Sequence, residues 1–245
     1  MGENIMVIQL ENVCFSYPNG ASVLDSLQFK LRRGEKLGLI GPNGSGKTTF
    51  LHIIMGLLKP SSGTVRIFGK LVETEKDFRI VRQKVGFLFQ NADDQLFSPT
   101  VLEDVAFGPL NLGKKPKEAH KMSLKILKDL NLEGFADRLT HKLSGGEKKL
   151  VALATVLVMH PEVLLLDEPT TGLDEDTSKR IIHILNSLNI SCIIVSHEYD
   201  FLARTTDEIY SIQNGIIVYD GVSADLHSHY HRHSAGKAPH DHMGI

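Results

Sequence analysis

The sequence has few cysteines, no excess of either charge and no long apolar run, and each absence excludes a class of protein. Its two cysteines, Cys14 and Cys192, are too few for a disulfide framework, which is consistent with a protein of a reducing compartment. Lysine and arginine number 27 against 29 aspartates and glutamates, a balance that argues against a chain whose main task is wrapping DNA or RNA. The longest apolar stretch, 150–159, is about half of the ~20 residues that a membrane span needs. The first residues carry an acid and no apolar core, so we expect no signal peptide and a soluble cytosolic α/β protein.

The first third of the chain is rich in strand patterns. Short apolar or alternating segments predict strands, and one helix follows a glycine-rich loop. The predicted strands are 5–10, 13–17, 23–31 and 36–40, and the predicted helix is 47–58.

The remainder alternates between strands and helices. Residues 91–140 are typical of a helical insertion, in which apolar side chains recur at helical spacing over 116–130. Short unbroken apolar runs predict strands that are covered on both faces of a parallel sheet, joined by right-handed βαβ units. The predicted strands are 85–89, 163–166 and 192–195, a buried helix follows residue 146, and an amphipathic helix covers about 175–188.

A glycine-rich loop carries the strongest chemical signal. Residues 41–48, GPNGSGKT, fit G-x-x-x-x-G-K-[ST] and stand between a predicted strand and a predicted helix. Backbone N–H groups of such a loop point at phosphates, and the helix N-terminus adds positive potential. Lys47 can bridge the β- and γ-phosphates, and Thr48 can ligate Mg²⁺. The predicted nucleotide-binding residues here are Gly41, Pro42, Asn43, Gly44, Ser45, Gly46, Lys47, Thr48 and Thr49.

Two further motifs accompany this loop. A buried apolar strand ends in Asp167 and Glu168, at the sheet edge where α/β proteins hold ligands. There Asp167 would contribute to the Mg²⁺ shell, directly or through water, and Glu168 would face the attacking water. The segment LSGGE at 143–147 precedes the buried helix, and Ser144, Gly145 and Gly146 at its N-terminus form a second anion site.

The LSGGE segment, beside the other two motifs, closely resembles the signature of ABC-type ATPases, and the resemblance covers 7–222. It implies that Gln90 reaches Mg²⁺ and the attacking water, that His197 senses the γ-phosphate, and that Tyr17 stacks on adenine. It also implies that the loop containing Asp174 crosses a dimer interface. Two positions depart from the family pattern, Glu147 in place of Gln and Leu150 in place of Arg, and they put details of the signature electrostatics in question.

The resemblance implies an α/β P-loop NTPase core with a mostly parallel sheet, an N-terminal antiparallel β subdomain and a helical subdomain at about 91–150. The ATP-binding domain would cover 1–224. ATP and Mg²⁺ would be the cofactors, with Lys47, Gln90, Glu168 and His197 as catalytic residues. Two such chains, or this chain and a homologous ATPase subunit, would close head-to-tail over two ATPs, so that Ser144 and Gly146 of one chain complete the site of the other.

Residues 91–109 are similar to the corresponding segment of ATPase subunits from energy-coupling-factor importers, particularly the cobalt/nickel type. In the family this segment faces the membrane partner. The resemblance therefore implies a membrane coupling subunit and a substrate-binding membrane subunit as partners, no nucleic acid, and a place on the cytoplasmic side of the cell membrane.

The C-terminal segment 225–245 is polar and histidine-rich, and its composition is typical of a disordered tail. Neutral imidazole suits nickel, cobalt, copper and zinc, so the tail is a candidate Ni²⁺ or Co²⁺ site. Its candidate ligands are His227, His229, His231, His233, His240 and His242.

Three other functions stay open at this point. The same motor could serve another substrate, such as biotin, another vitamin or an amino acid. A soluble ABC ATPase acting on nucleic acid or ribosomes usually has two ATPase domains or a long coiled-coil insert, and neither occurs here. A metal-buffering protein whose tail is the main function would not need the full set of ATP motifs.

Overall fold

A computed structural model describes residues 5–18 and 20–223 of the chain and contains two β-sheets with helices packed around them. Among the described residues the strands are β1 (Met6–Ser16), β2 (Ser22–Arg32), β3 (Lys36–Ile40), β4 (Ser62–Ile67), β5 (Lys70–Leu71), β6 (Val85–Leu88), β7 (Val163–Asp167), β8 (Ser191–Val195), β9 (Glu208–Gln213) and β10 (Ile216–Val222). The helices are α1 (Lys47–Ile54), α2 (Glu75–Val81), α3 (Val101–Asn111), α4 (Pro116–Asp129), α5 (Gly145–Leu157), α6 (Glu175–Ser187) and α7 (Tyr199–Thr205).

The six-stranded sheet positions the functional motifs. Its order is β10-β9-β3-β8-β7-β6, and all neighbours from β9 to β6 are parallel, while β10 runs antiparallel to β9. The carboxyl ends of β3, β8, β7 and β6 therefore lie at one edge. The phosphate loop, His197, Glu168 and Gln90 follow these four ends in turn, which gathers residues from distant parts of the sequence.

The second sheet, of order β2-β1-β4-β5, is antiparallel throughout. The prediction of two strands at 5–10 and 13–17 is wrong, because β1 is continuous across both. The polar pair at 11–12 marks an irregularity inside the strand: the pairing register shifts between Leu10 and Val13, and Asn12 has φ 52°. A bulge of this kind increases the local twist without ending the strand.

Helix α1 ends four residues before the predicted boundary at 58. Gly56 has φ 67°, its N–H donates to the carbonyl of Ile53, and the N–H of Leu57 donates to the carbonyl of His52. These two bonds form a Schellman C-cap, which satisfies carbonyls that the helix leaves unpaired. A side chain at Gly56 would also clash with the ring of Phe78, 2.2 Å from an added Cβ.

The predicted helical insertion is present as α3 and α4, with short 3₁₀ turns on either side, and both helices pack against α5. Helix α5 is buried along most of its length, as expected. It lies so close to β6 that a Cβ at Gly86 would stand 2.2 Å from Val156. None of the helices in the described part of the chain is both long and apolar enough to cross a membrane.

Candidate active site

The phosphate loop joins β3 to α1 and is held in a left-handed backbone conformation at three glycines. Gly41, Gly44 and Gly46 have φ of 149°, 77° and 104°. A Cβ at Gly41 would lie 2.8 Å from the carbonyl oxygen of Ile212, so this position also lacks room for a side chain. The Ser45 hydroxyl is buried within the loop and has no hydrogen-bond partner among the described residues. An unsatisfied hydroxyl donor within a phosphate-binding loop is a feature that a phosphate would complete.

Lys47 is the first residue of α1 and folds back over the loop. Its side chain is 7% exposed, and its ammonium donates to the carbonyls of Gly41 at 2.7 Å and Pro42 at 3.0 Å. Burial lowers the pKa of Lys47, while Glu168 and Asp167 oppose that shift. The cation is therefore placed at the mouth of the loop, where negative phosphate oxygens would stabilise it.

The predicted magnesium residues line one cleft. The Thr48 hydroxyl donates to Asp167 Oδ2 at 2.7 Å, and Asp167 is buried at the end of β7. Gln90, at the end of the β6 segment, lines the same cleft of about 650 Å³. A hydroxyl, a carboxylate and an amide oxygen are hard ligands of the kind that Mg²⁺ takes in small number alongside substrate phosphates. The residues present fit that ion.

Glu168 is held by contacts from two directions. The residue is 5% exposed and has φ 48°, a conformation that is uncommon and costly outside glycine. Its Oε2 accepts from the Thr171 hydroxyl at 3.0 Å and the His197 backbone N–H at 3.4 Å. Its Oε1 is buried without a hydrogen-bond partner among the described residues, although His197 Nε2 lies 3.2 Å away outside hydrogen-bond geometry. Oε2 is thus fixed by two donors, whereas Oε1 accepts no hydrogen bond from the described residues.

Tyr17 lies where the phosphate-loop cleft meets a second, more open cleft lined in part by Ala21 and Tyr199. Its ring is 45% exposed, and its hydroxyl lies 3.1 Å from the Thr49 hydroxyl on α1. The ring is also in edge contact with Phe15, at 4.9 Å between centroids. A half-exposed aromatic face beside the phosphate loop suits a flat apolar base.

The signature segment forms the N-terminus of α5. Ser144 is the N-cap, and with Glu147 it forms a capping box in which each side chain accepts from the other's backbone N–H. Arg138 holds the Glu147 carboxylate with two bonds, of 2.8 Å and 3.2 Å. These Arg138 bonds, more than any other contact, hold the pKa of Glu147 below its ordinary value. The carboxylate that replaces the family's Gln is therefore neutralised within its own chain.

The structure does not bring the signature to the phosphate loop. Of the described residues that line the two clefts, none comes from 144–146, and Asp174 is not among them either. Asp174 instead caps α6, accepting from Thr177 N at 2.8 Å, and Gly146 lies against the same threonine. The predicted site residues thus form two groups in one chain: one around the loop and one around Ser144.

One functional candidate was missed by sequence reasoning. Lys149 on α5 is 3% exposed, and its ammonium reaches three backbone carbonyls: Gln90 at 2.6 Å, Phe89 at 3.2 Å and Glu168 at 3.4 Å. Burial lowers its pKa to about 8. Its only sequence signal is a charge at the point of α5 beyond which the helix is almost wholly apolar. Its partners are main-chain atoms that no residue pattern identifies.

Comparisons with known proteins identify the family of this chain. Residues 24–171 match the family model of the ABC transporter ATP-binding domain. The chain is 50% identical to a putative ABC transporter ATP-binding protein of Nitratidesulfovibrio vulgaris over 96% of its own length and 86% of that relative. It is 45% identical to the energy-coupling factor transporter ATP-binding protein EcfA of Methanothermobacter thermautotrophicus, over 90% of this chain and 72% of that one.

Solved structures give the same result. With cbiO1 from Clostridium perfringens, described as part of the ABC transporter complex cbiONQ, the TM-score is 0.82 at 33% identity, over 96% of both chains. With a dimeric ATP-binding cassette in a post-hydrolysis state bound to ADP and Pi, it is 0.80 at 29% identity, over 87% of this chain and 98% of that one. The chain belongs to the ABC transporter ATP-binding family. It is an ATP-hydrolysing transport ATPase, and the resemblance to energy-coupling-factor ATPases is confirmed by relatives of that name.

Proposed function

We propose that this chain is the ATP-hydrolysing subunit of an energy-coupling-factor importer, attached to the cytoplasmic side of a membrane, and that it works as a head-to-tail dimer. The observation that carries the proposal is the separation of the two groups of motifs. A loop for one ATP and a signature that lies outside that loop's cleft are what a site shared between two chains requires. The dimeric cassette with ADP and Pi among its structural neighbours supports this arrangement.

In the proposed mechanism the loop amides and Lys47 hold the phosphates, and Tyr17 holds the base. Mg²⁺, when bound by Thr48, Gln90 and Asp167, supplies positive charge to the phosphate oxygens. Glu168 Oε1 orients the attacking water and accepts its proton, because Oε2 is already occupied by Thr171 and His197. The loop amides and Lys47 are preorganised donors, and such donors stabilise developing negative charge without reorganising during the reaction.

The membrane partners would dock on the segment 91–109. Phe97 and Phe107 are 65% and 44% exposed, and their rings stack edge to face at 4.6 Å between centroids. Such an exposed aromatic pair suits insertion into a groove of a partner. The relatives named EcfA support a membrane coupling subunit and a substrate-binding membrane subunit as those partners.

For the transported substrate we propose nickel or cobalt. The support comes from the sequence: the resemblance of 91–109 and the histidines of the tail, which lie outside the described residues. Six imidazoles in one segment can ligate such ions when neutral. Biotin, another vitamin or an amino acid is the alternative substrate, and a nucleic-acid-associated role has no motif in its favour.

The test is to express the chain together with the membrane proteins encoded by neighbouring genes and to identify those that co-purify. Uptake is then measured into proteoliposomes loaded with ATP. Accumulation of Ni²⁺ or Co²⁺ supports the proposal when a Glu168→Gln complex accumulates neither. Uptake of a vitamin or an amino acid, without uptake of metal, would overturn the proposed substrate. The assignment as the ATP-hydrolysing subunit of an importer would still stand. Failure to recover any membrane partner would contradict the importer assignment.

The role of the tail has its own measurement. We expect a chain lacking 227–245 to keep its basal ATPase rate and to lose most Ni²⁺ binding in calorimetric titrations. The binding of the full chain should weaken as the pH falls through about 6.5, where imidazole becomes protonated. Equal Ni²⁺ binding by the truncated chain would show that the tail has no metal role.

A further inference from the structure

Lys149 is a buried charge to which the proposed mechanism assigns no role. Among the described residues, its ammonium donates to three backbone carbonyls, those of Phe89, Gln90 and Glu168. The three donors of an ammonium are thereby matched by three acceptors. A lysine is seldom fully buried unless it is paired, and burying a cation is costly. Packing of α5 alone therefore does not explain a lysine at this position.

The three carbonyls belong to two different strand ends. Strands β6 and β7 are parallel neighbours, with Leu88 paired to Leu166, and the chain continues from them into Gln90 and Glu168. The ammonium of Lys149 bridges these two segments just where the two functional side chains leave the backbone. Gln95 adds a second link to α5, because its side chain accepts from Phe89 N at 3.2 Å and donates to Ala152 O at 2.8 Å.

We propose that Lys149 is a positioning residue that fixes the backbone of Gln90 and of Glu168 relative to each other, and so sets the geometry of the water and Mg²⁺ ligands during ATP hydrolysis. This inference rests on the proposed roles of Gln90 and Glu168. Glu168 has a backbone conformation with φ 48°, which persists only where its surroundings hold it in place. Two hydrogen bonds stabilise this conformation: the bond from the Lys149 ammonium to Glu168 O, and the bond from Glu168 N to Val195 O at 2.9 Å.

The same lysine connects the two groups of motifs. It lies on the helix whose N-cap is Ser144, five residues along the chain, and it contacts the segments that carry the chain's own catalytic side chains. A shift of α5 on engaging a partner would therefore move the carbonyls of Gln90 and Glu168. Side chains that only fill the core of α5 would not transmit such a shift to those two positions directly.

The test compares Lys149→Met with Lys149→Gln in the full chain. Methionine has a similar length and no donor, whereas glutamine keeps an N–H donor on a shorter side chain. We expect kcat for ATP hydrolysis to fall about ten- to hundredfold in Lys149→Met, because small misplacements of reacting groups cost rates of that order. The dissociation constant for ATP should change less than about twofold, since Lys47 and Tyr17 are untouched, and Lys149→Gln should recover part of the lost kcat.

Lys36→Met is the matched control. The Lys36 ammonium also donates to a backbone carbonyl, that of Leu185 at 2.7 Å, but Lys36 is the first residue of β3 and is not among the described residues that line either cleft. This variant should lower the melting temperature and leave kcat unchanged. If Lys149→Met does not fold, the glutamine variant decides, and it must show a reduced kcat with unchanged ATP affinity at a temperature where it is folded.

The outcomes separate this inference from the proposed function. A wild-type kcat in both Lys149 variants, beside an inactive Glu168→Gln chain, overturns the positioning role and leaves the catalytic assignment in place. Equal losses in the methionine and glutamine variants also overturn it, because the donor would then not matter. Full activity in Glu168→Gln contradicts the proposed function itself.

Discussion

At the scale of single residues, the cleft combines buried charges that the fold keeps close without fully pairing them. Lys47, Asp167 and Glu168 are all less than 9% exposed, and they influence one another electrostatically. Glu168 Oε1 and Ser45 Oγ are buried without hydrogen-bond partners among the described residues. Unsatisfied buried groups lower the stability of the fold. Their concentration in this cleft therefore indicates a site that binds a ligand.

Replacing Lys47 with alanine should weaken ATP binding itself. The charge-assisted bonds from the ammonium to phosphate oxygens contribute about 1.5–3 kcal/mol, so we expect a loss of affinity of about ten- to a hundredfold, measured by calorimetry. The fold should survive, because within the described part of the chain Lys47 donates to carbonyls of its own loop and to no other group. An unchanged affinity in a folded variant would contradict the role of Lys47.

The Arg138–Glu147 pair should make stability depend on pH. The folded-state pKa of Glu147 is lowered, chiefly by the bonds from Arg138, so the charged carboxylate stabilises the fold at pH values above its unfolded pKa of about 4.3. That contribution is lost as the pH falls through the lower, folded-state pKa.

We expect wild type to be more stable than Glu147→Gln by about 1 kcal/mol at pH 7, since the pair is partly exposed. The free energies of unfolding of the two variants should converge as the pH falls through the lowered, folded-state pKa of Glu147. Denaturant unfolding at several pH values measures this, and a difference independent of pH would show that the charge of Glu147 contributes nothing.

At the scale of helices and strands, the sequence predicted the elements that local motifs and apolar runs define. It did not predict features that depend on residues far apart in the chain. The loop, α1, α5 and the strands β6 to β8 follow from motifs and apolar runs within a few residues. Strands β9 and β10 were not predicted, although β9 pairs with β3 from 171 residues away, as in Leu37 with Glu208. The contacts of Lys149 with the carbonyls of Gln90 and Glu168 span 59 and 19 residues, so only the fold could identify them.

The N-terminus of α5 gives an element-scale prediction. Ser144→Arg should leave ATP binding to the isolated chain unchanged, because Ser144 does not line the loop cleft, and should abolish hydrolysis, because the arginine fills the surface offered to the partner's ATP. Calorimetry and phosphate release measure the two effects.

The matched control for Ser144→Arg is Thr74→Arg, which removes an equivalent capping box from α2, outside the cleft. Either cap loss costs about 1 kcal/mol of stability, so the two variants should melt at similarly reduced temperatures. Only the Ser144 variant should lose turnover. Hydrolysis at the wild-type rate in Ser144→Arg would remove the signature from the shared site.

At the scale of the whole molecule, the described residues include every predicted ATP-binding motif but hold them in two places. The sheet edge gathers the phosphate loop, Gln90, Asp167, Glu168 and His197, while Ser144 and Asp174 stand outside the cleft. In the proposed dimer each chain would therefore supply the phosphate loop of one site and the signature of the other. Hydrolysis in this account is a property of the dimer, and Lys149 connects the halves within each chain.

The most direct test of the account is the Glu168→Gln chain with Mg²⁺ and ATP, followed by phosphate release and by size-exclusion chromatography. Removal of the carboxylate that accepts the proton costs about 10²–10⁴ in rate. We therefore expect ATP to bind with near wild-type affinity, phosphate release to fall by that factor, and a nucleotide-dependent dimer to accumulate because it cannot reopen by hydrolysis. Phosphate release within about threefold of wild type, or a chain that stays monomeric with ATP bound, would contradict the central claim.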